Sequence, residues 1–385
     1  PITITTGGTY TGAWQSTTTA PVIRVHTTDP VIIENSTVQG RGELIVSDFD
    51  HTDITVRNTR GYALNPNVAG QIPGRFFDST VFNHVVLENN YLQGTSGIVM
   101  EDFEGNKSAA STIRVVGNVA LNIDGRKSDG AGGYLNYNLR TSKSDGHTEQ
   151  GYDDVQFFQM GACTSVANVE IAWNQVINEP GNSRVEDNIS IYKSSGTASS
   201  PIRIHDNYIQ GAYTIKPAQK DTSDSSWTYD WSYSGGGIML GDGTGTSIAN
   251  ACGFVQAYNN EVIDTTNYGM AITAGHDSSF YSNRILSAGV TPDGTSIAAQ
   301  NVGAAIWDSN NDASRSPPTW FSDSGHDNQV GWIYGAGRND WWTPSAASWT
   351  NNTHWPGTIT LATQSAEFNV WRAKLTSNAI WLGTQ

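Results

Sequence analysis

The sequence predicts an all-β solenoid, a stack of short strands joined by sharp turns, and three observations predict it. An Asn-centred phrase recurs along the chain. The first copies are Ile33-Glu34-Asn35-Ser36-Thr37-Val38, Val56-Arg57-Asn58 and Leu87-Glu88-Asn89-Asn90-Tyr91-Leu92. Val115-Val116-Gly117-Asn118, Ala172-Trp173-Asn174-Gln175-Val176-Ile177 and His205-Asp206-Asn207-Tyr208-Ile209 follow. The last copies are Ala257-Tyr258-Asn259-Asn260-Glu261-Val262 and Tyr281-Ser282-Asn283-Arg284-Ile285. The interval from Asn35 to Asn58 equals that from Asn260 to Asn283, about 23 residues, the size of one solenoid rung. Second, the flanks are short and rich in Val, Ile, Thr and Tyr, the composition of strands, where a helical repeat needs longer segments of period near 3.6. Third, charged residues make up only 15 % of the 385, against 40 Gly and 13 Trp, the balance of an extracellular β-protein.

Each Asn is read as a turn residue. Its side chain tolerates the left-handed conformation and its amide bonds backbone, so stacked copies are expected to form a ladder. The phrase resembles the PbH1-type repeat of the pectin-lyase-like right-handed parallel β-helices, over roughly residues 20–310. That resemblance implies a single-stranded right-handed parallel β-helix and a carbohydrate-active function. Relatives include lyases, hydrolases, esterases, epimerases and phage tailspikes, so fold alone does not select the reaction.

Along the chain, residues 1–20 are expected to form a β-rich N-terminal entry or cap segment, with Tyr10 and Trp14 covering the open end. Rungs are expected over 21–312. Insertions at 125–152 and 211–236 interrupt them; loops this long are usually functional, and the second carries Trp227, Tyr229, Trp231 and Tyr233. The tail 313–385 holds Trp320, Trp332, Trp341, Trp342, Trp349, Trp355, Trp371 and Trp381, expected to cap the last rung or to stack sugars. Within it, Phe368, Trp371 and Leu375 predict a short helix over 365–377.

Net charge is −15, which argues against a nucleic-acid partner and disfavours a polyanionic one. No apolar run is long enough to span a membrane as a helix. The chain opens at Pro1 without Met or an apolar leader, either because a secretory leader was removed or because more chain once preceded it. A secreted protein is expected. Cys163 and Cys252 either pair or are two small buried side chains. No cofactor is expected; calcium stays open, although no motif supports a metal.

A second family of strands precedes the Asn turns. Aligned on Gly97-Ile98-Val99-Met100-Glu101-Asp102 and Gly237-Ile238-Met239-Leu240-Gly241-Asp242, their fourth positions read Met100, Phe158, Tyr192, Leu240, Ile272 and Ile306, expected to point inward. The fifth positions are then outward: Glu101, Gln159, Lys193, Gly241, Thr273 and Trp307. Asp102, Asp242 and Asp308 follow at the turn. In the resembled superfamily such a row lines the substrate groove.

Two chemistries fit this row. Asp242 and Asp308 are two rungs apart, ~9–10 Å at strand spacing, near the upper end of an inverting glycosidase pair at about 6.5–9.5 Å. His276 and Asp277 lie on the rung between as supports. Trp307 offers a stacking face, with Trp231 and Tyr233 from the insertion, and Glu101 and Gln159 as further substrate contacts. Alternatively, Ile191-Tyr192-Lys193-Ser194 resembles the Lys-Ser segment of the chondroitinase-B and alginate-lyase family, which implies Lys193 as the base of an elimination. That family's next-rung Arg is replaced here by Leu240-Gly241-Asp242-Gly243. Hydrolysis of a polysaccharide is therefore preferred over elimination, and both over a glycan-binding module without catalysis.

Overall fold

A computed structural model describes residues 1–215, 224–231, 235–297 and 300–384. The chain coils as a right-handed parallel β-helix, and each turn of the coil gives one strand to each of three sheets of 11, 11 and 12 strands. Neighbouring coils pair in parallel throughout the three sheets, apart from one short terminal hairpin, Gln329–Tyr334 with Gly337–Arg338. Inward side chains such as Ile33, Val56, Leu87, Val115, Ile171 and Ile204 fill one continuous core.

The turn from the second sheet to the third repeats most strictly. Tyr258 pairs with Tyr281, and Tyr281 with His326, across three coils. The next residue is left-handed in each coil after the first, among them Asn35 (φ 49°), Asn89 (φ 53°), Asp206 (φ 54°) and Asn259 (φ 56°). The residue after it turns inward and builds the ladder: Asn90, Asn118, Asn174, Asn207, Asn260, Asn283, Asn328 and Asn352. Each inner amide is saturated. Asn207 Oδ1 accepts from the Asn174 backbone N–H at 3.0 Å and its amide at 2.9 Å, while Asn207 Nδ2 donates to Ile171 O and Asn260 Oδ1.

Three expectations need correction. Asn35 and Asn58 occupy the left-handed position, and Ser36 and Thr59 stand in the ladder column instead; a one-residue shift separates the two roles. Residues 1–20 are strands as expected but form the first coil rather than a segment ahead of it, because Ile2–Ile4, Gly8–Tyr10 and Ala13–Gln15 join the three sheets, with Tyr10 and Trp14 packed against the core. Rungs also continue beyond 312. Ser324–His326, Gln329–Tyr334, Trp341–Trp342 and Ser348–Thr350 are ladder strands, announced by Asp327-Asn328 and Asn351-Asn352.

The tryptophans divide. Trp341 and Trp349 pack on the core at the last coils, and Trp332 is wholly inside. Trp355 and Trp371 belong to a side cluster with Tyr208, Ile263 and Leu286. The helix runs Leu361–Ser377, longer than expected because Thr360 caps it and accepts the Thr363 N–H. It lies along the flank of the third sheet. Trp371 Nε1 donates to Asp206 O and Lys374 Nζ to Asn259 O, in two different coils. Cys163 and Cys252 are both free and buried. No helix among the described residues is long and apolar enough to cross a membrane.

Two outcomes follow from this packing. Asn207→Ala strips partners from the Asn174 amide and from Ile171 O, so the urea unfolding free energy should fall by about 2–4 kcal/mol. Asp264 lies beneath the helix, buried, with hydroxyl donors Tyr213 at 2.7 Å and Ser287 at 3.2 Å. Burial pushes its carboxyl up to about 7. The folded state therefore holds a proton that the unfolded chain releases above its ordinary carboxylate range. Its contribution is present at acid pH and lost as pH rises toward 7, and Asp264→Asn should flatten that fall in urea midpoints.

Candidate functional site

The outer face of the first sheet is the floor of the candidate site. Two walls border it. Insertions 125–152 and 211–236 both leave the third sheet and return to the first, so their described residues stand at the N-terminal ends of its strands. They meet in one antiparallel sheet, Leu139–Ser142 between Thr148–Gln150 and Trp227–Asp230. Arg140 locks this junction, its guanidinium 4.1 Å from the ring centres of both Tyr137 and Trp227. Segments 102–112, 243–254 and 307–323 lead from the first sheet to the second and rise at the opposite, C-terminal ends.

Strand registers assign the floor. One outward column runs Gln156, Asp187, Gly236, Tyr268, Val302. The next runs Val99, Gln159, Ser190, Met239, Ala271, Ala305, Trp342. The third begins Glu101, Gly161, Tyr192, Asp242. Two alignments made from sequence are corrected here. Gln159 pairs with Val99, two residues out of the expected register although on the expected face. Tyr192 faces outward and Ile191 fills the core, so Lys193 falls on the corner, left-handed with φ 45°. The irregular spacing of the insertions hid both shifts.

Asp242 owes its place to a bulge. Ser190 pairs with Met239 but Tyr192 with Asp242, so the strand Gly236–Asp242 carries one extra residue. That residue moves Asp242 from the turn into the outward column beside Tyr192. The Lys193 backbone N–H donates to Asp242 O at 3.0 Å, and Lys193 Nζ lies 5.0 Å from the Tyr192 ring centre. Burial raises the Asp242 carboxyl above its ordinary range, against the Gly243 N–H at 2.7 Å and the Lys193 charge, which lower it.

Asp187 is the site residue that sequence reading passed over. It is 2 % exposed, and burial raises its carboxyl well above the ordinary range, helped by the charges of Glu186 and Asp242. The Tyr268 hydroxyl donates to it from two coils away. Gly236 makes that reach possible, since a Cβ there would stand 2.2 Å from the Tyr268 ring. Glu186 accepts from Gln156 Nε2 at 2.7 Å. A signal existed in the sequence: a Glu-Asp pair opening a strand that otherwise reads as core.

The floor then turns apolar toward the C-terminal coils. Met239, Tyr268, Ala271, Val302 and Ala305 form a buried patch with Trp307 packed against it. The Trp307 and Trp342 rings lie 5.5 Å apart at 41°, and Trp342 is 51 % exposed.

The other predicted residues are placed as follows. Glu101 lies across Gly161, where a Cβ would meet its Oε1 at 3.1 Å. Both Asp308 oxygens accept backbone N–H groups, from Asp312 at 2.7 Å and Ala313 at 2.8 Å, so this carboxylate caps the turn that follows it. His276 is buried at the corner between first and second sheets, stacked 4.8 Å from Phe321 and edge-on to Phe254 at 5.3 Å. Asp277 holds its Nδ1 at 2.9 Å, so the pair belongs to the corner stack. Trp231 is 6 % exposed and stacks on Tyr229. Tyr233 lies outside the described residues. Among the described residues, no group of three or more His, Cys, Asp or Glu side chains is arranged to hold a metal ion.

No family model matches the chain, and no curated protein matches its sequence. Among solved structures, that of the periplasmic alginate epimerase AlgG is similar, with 10 % identity and a TM-score of 0.44. The likeness covers 89 % of this chain and 78 % of that one.

Tyr268→Phe removes the hydroxyl donor of a buried acid and should lower stability by about 1–3 kcal/mol in urea unfolding. The same change in the Asp187→Asn background should cost measurably less, since the two groups act as one pair.

Proposed function

We propose that this chain binds a polysaccharide along the outer face of the first sheet and hydrolyses it there. The observation that supports this most is Asp242, a carboxyl raised by burial on the outer face, with a second raised carboxyl, Asp187, toward the other end of that face in the adjacent coil. A carboxyl that keeps its proton toward neutral pH is what protonation of a glycosidic oxygen needs. In this reading Asp242 is the general acid. The group that takes a proton from the attacking water would then come from the other acidic residues of this face, Asp187 with the adjoining Glu186. The expectation that Asp308 fills the second role gives way, because its oxygens are committed to the 312–313 backbone. Lys193, Glu101 and Gln159 contact substrate hydroxyls, and Trp307 stacks a sugar ring. A secreted or periplasmic setting fits a polymeric substrate.

Elimination with Lys193 as base is the second reading, and the placement of Lys193 Nζ against Tyr192 beside Asp242 favours keeping it in the test. A polysaccharide panel separates the two. Hydrolysis releases reducing ends without the absorbance of an unsaturated uronate, and elimination releases both. On a cleaved glycan, Asp242→Asn should lose about 10²–10⁴-fold in rate. Wild-type activity should fall as pH rises through the raised Asp242 value, because the acid form disappears. Near-full activity in Asp242→Asn with none in Lys193→Ala replaces hydrolysis by elimination.

A further inference from the structure

We propose that the outer face of the third sheet carries a saccharide-binding site of its own, in a pocket built on Gln39, Tyr62 and Gln93 and separate from the groove on the first sheet. The helix Leu361–Ser377 covers the third sheet over its later coils, where Tyr208, Ile263 and Leu286 pack in one cluster with Trp371. Over the earlier coils the face opens into a cavity of about 470 Å³. That lies within the range of small-molecule sites, roughly 300–1,000 Å³, but such sites are mostly apolar. This one is lined mainly by amides and phenols. Gln39, Tyr62 and Gln93 stand side by side in one outward column, each in the next coil, while Val38 and Leu92 beside them fill the core.

The order amide, aromatic ring, amide fits a sugar. Neighbouring coils are ~4.8 Å apart, so an amide flanks the Tyr62 ring on each side. An aromatic face takes the C–H face of a pyranose, and an amide, which both donates and accepts, matches the hydroxyls around its edge. Among the described residues, the Gln39 amide and the Tyr62 and Tyr134 hydroxyls make no hydrogen bond within the protein. Gln93 spends only its Oε1, on the Tyr91 hydroxyl at 3.1 Å. The Tyr62 and Tyr91 rings are 5.9 Å apart and tilted by 53°, so neither covers the other face to face. The walls are already braced. Arg126 holds Asp124 through Nε and Nη2, donates to Gly181 O and Asn182 O, and lies 4.4 Å from the Tyr134 ring centre. Asn122 and Glu179 exchange hydrogen bonds at 3.0 and 2.8 Å. Recognition therefore falls to the ring and the amides, with little reorganisation on binding. A peptide finds no backbone edge here, because the strands of this floor are paired on both sides.

The test is affinity electrophoresis of the full chain in gels containing xylan, mixed-linkage β-glucan, galactomannan, polygalacturonate or alginate. The expected result is retardation by at least one of these glycans. Tyr62→Ala should weaken it about tenfold while Tyr62→Phe keeps most of it, the order expected for one stacked ring. Gln39→Ala should weaken it about threefold, the loss of one hydrogen-bonding side chain. Urea midpoints measured in parallel check folding, and Gln39→Ala, a change in a half-buried polar column, carries the test if Tyr62→Ala unfolds. Equal retardation of wild type, Tyr62→Ala and Gln39→Ala places binding elsewhere and overturns this site, leaving the groove reading standing. Unchanged mobility of the wild type in every gel overturns the site as well, whereas the groove reading is judged separately by the release of reducing ends.

Discussion

The constraint on which the rest of this structure depends is the two-residue turn between the second and third sheets. One residue is left-handed and the next points an amide into the core. A backbone that turns inside a coil leaves carbonyl and N–H groups in an apolar interior, where each unpaired group is costly. The Asn amide has two donors and two acceptor sites, and the stack uses all four, one coil serving the next. Because every amide needs a neighbour at strand spacing, the ladder fixes the register of both flanking sheets across the molecule. A coil shifted by one residue would put its amide outside and an apolar side chain against unpaired backbone.

That rigidity at one corner leaves the other two free to vary. Insertions enter at the corner between the third and first sheets, and shorter excursions leave between the first and second. The first sheet is therefore the one whose outer face acquires walls. Two register slips also fall there, between Gly97 and Ile98 and again between Ser190 and Tyr192, while a third lies in the second sheet between Phe82 and His84. The second slip moves Asp242 onto the floor. Variation in chain length and variation in chemistry thus sit on the same sheet, because the ladder does not hold it directly.

The solenoid contacts only its neighbours in series, so its ends and flank need separate closure. Trp341 and Trp349 cover the core at the last coils. The helix Leu361–Ser377 ties several coils together lengthwise. Arg284 bridges it to the third sheet through Glu367, and the Gly383 N–H reaches back to Gly117 O. This return path buries Glu261, whose carboxyl is raised to about 8 by burial and the neighbouring Glu367. The acids under the helix belong to this strap, which covers a different sheet from the acids of the groove.

The sequence by itself determined the rung. Asn at the turn, short Val- and Ile-rich flanks and the repeat interval are local requirements of backbone geometry and hydrogen bonding, so they are written in consecutive residues. For the same reason it placed Glu101 and Gln159 on the outer face of one sheet. Only the tertiary structure decided which carboxyls reach the floor and what holds them. Asp187 meets Tyr268 through a ring laid over Gly236, a contact spanning 81 positions. Asp308 looks equivalent to Asp242 in the alignment, yet its oxygens turn to Asp312 and Ala313 while a one-residue bulge carries Asp242 onto the floor. Alternation along a strand predicts a face. It does not predict a bulge, because a bulge is the response of one strand to the coil beneath it, and no residue within the strand specifies that partner.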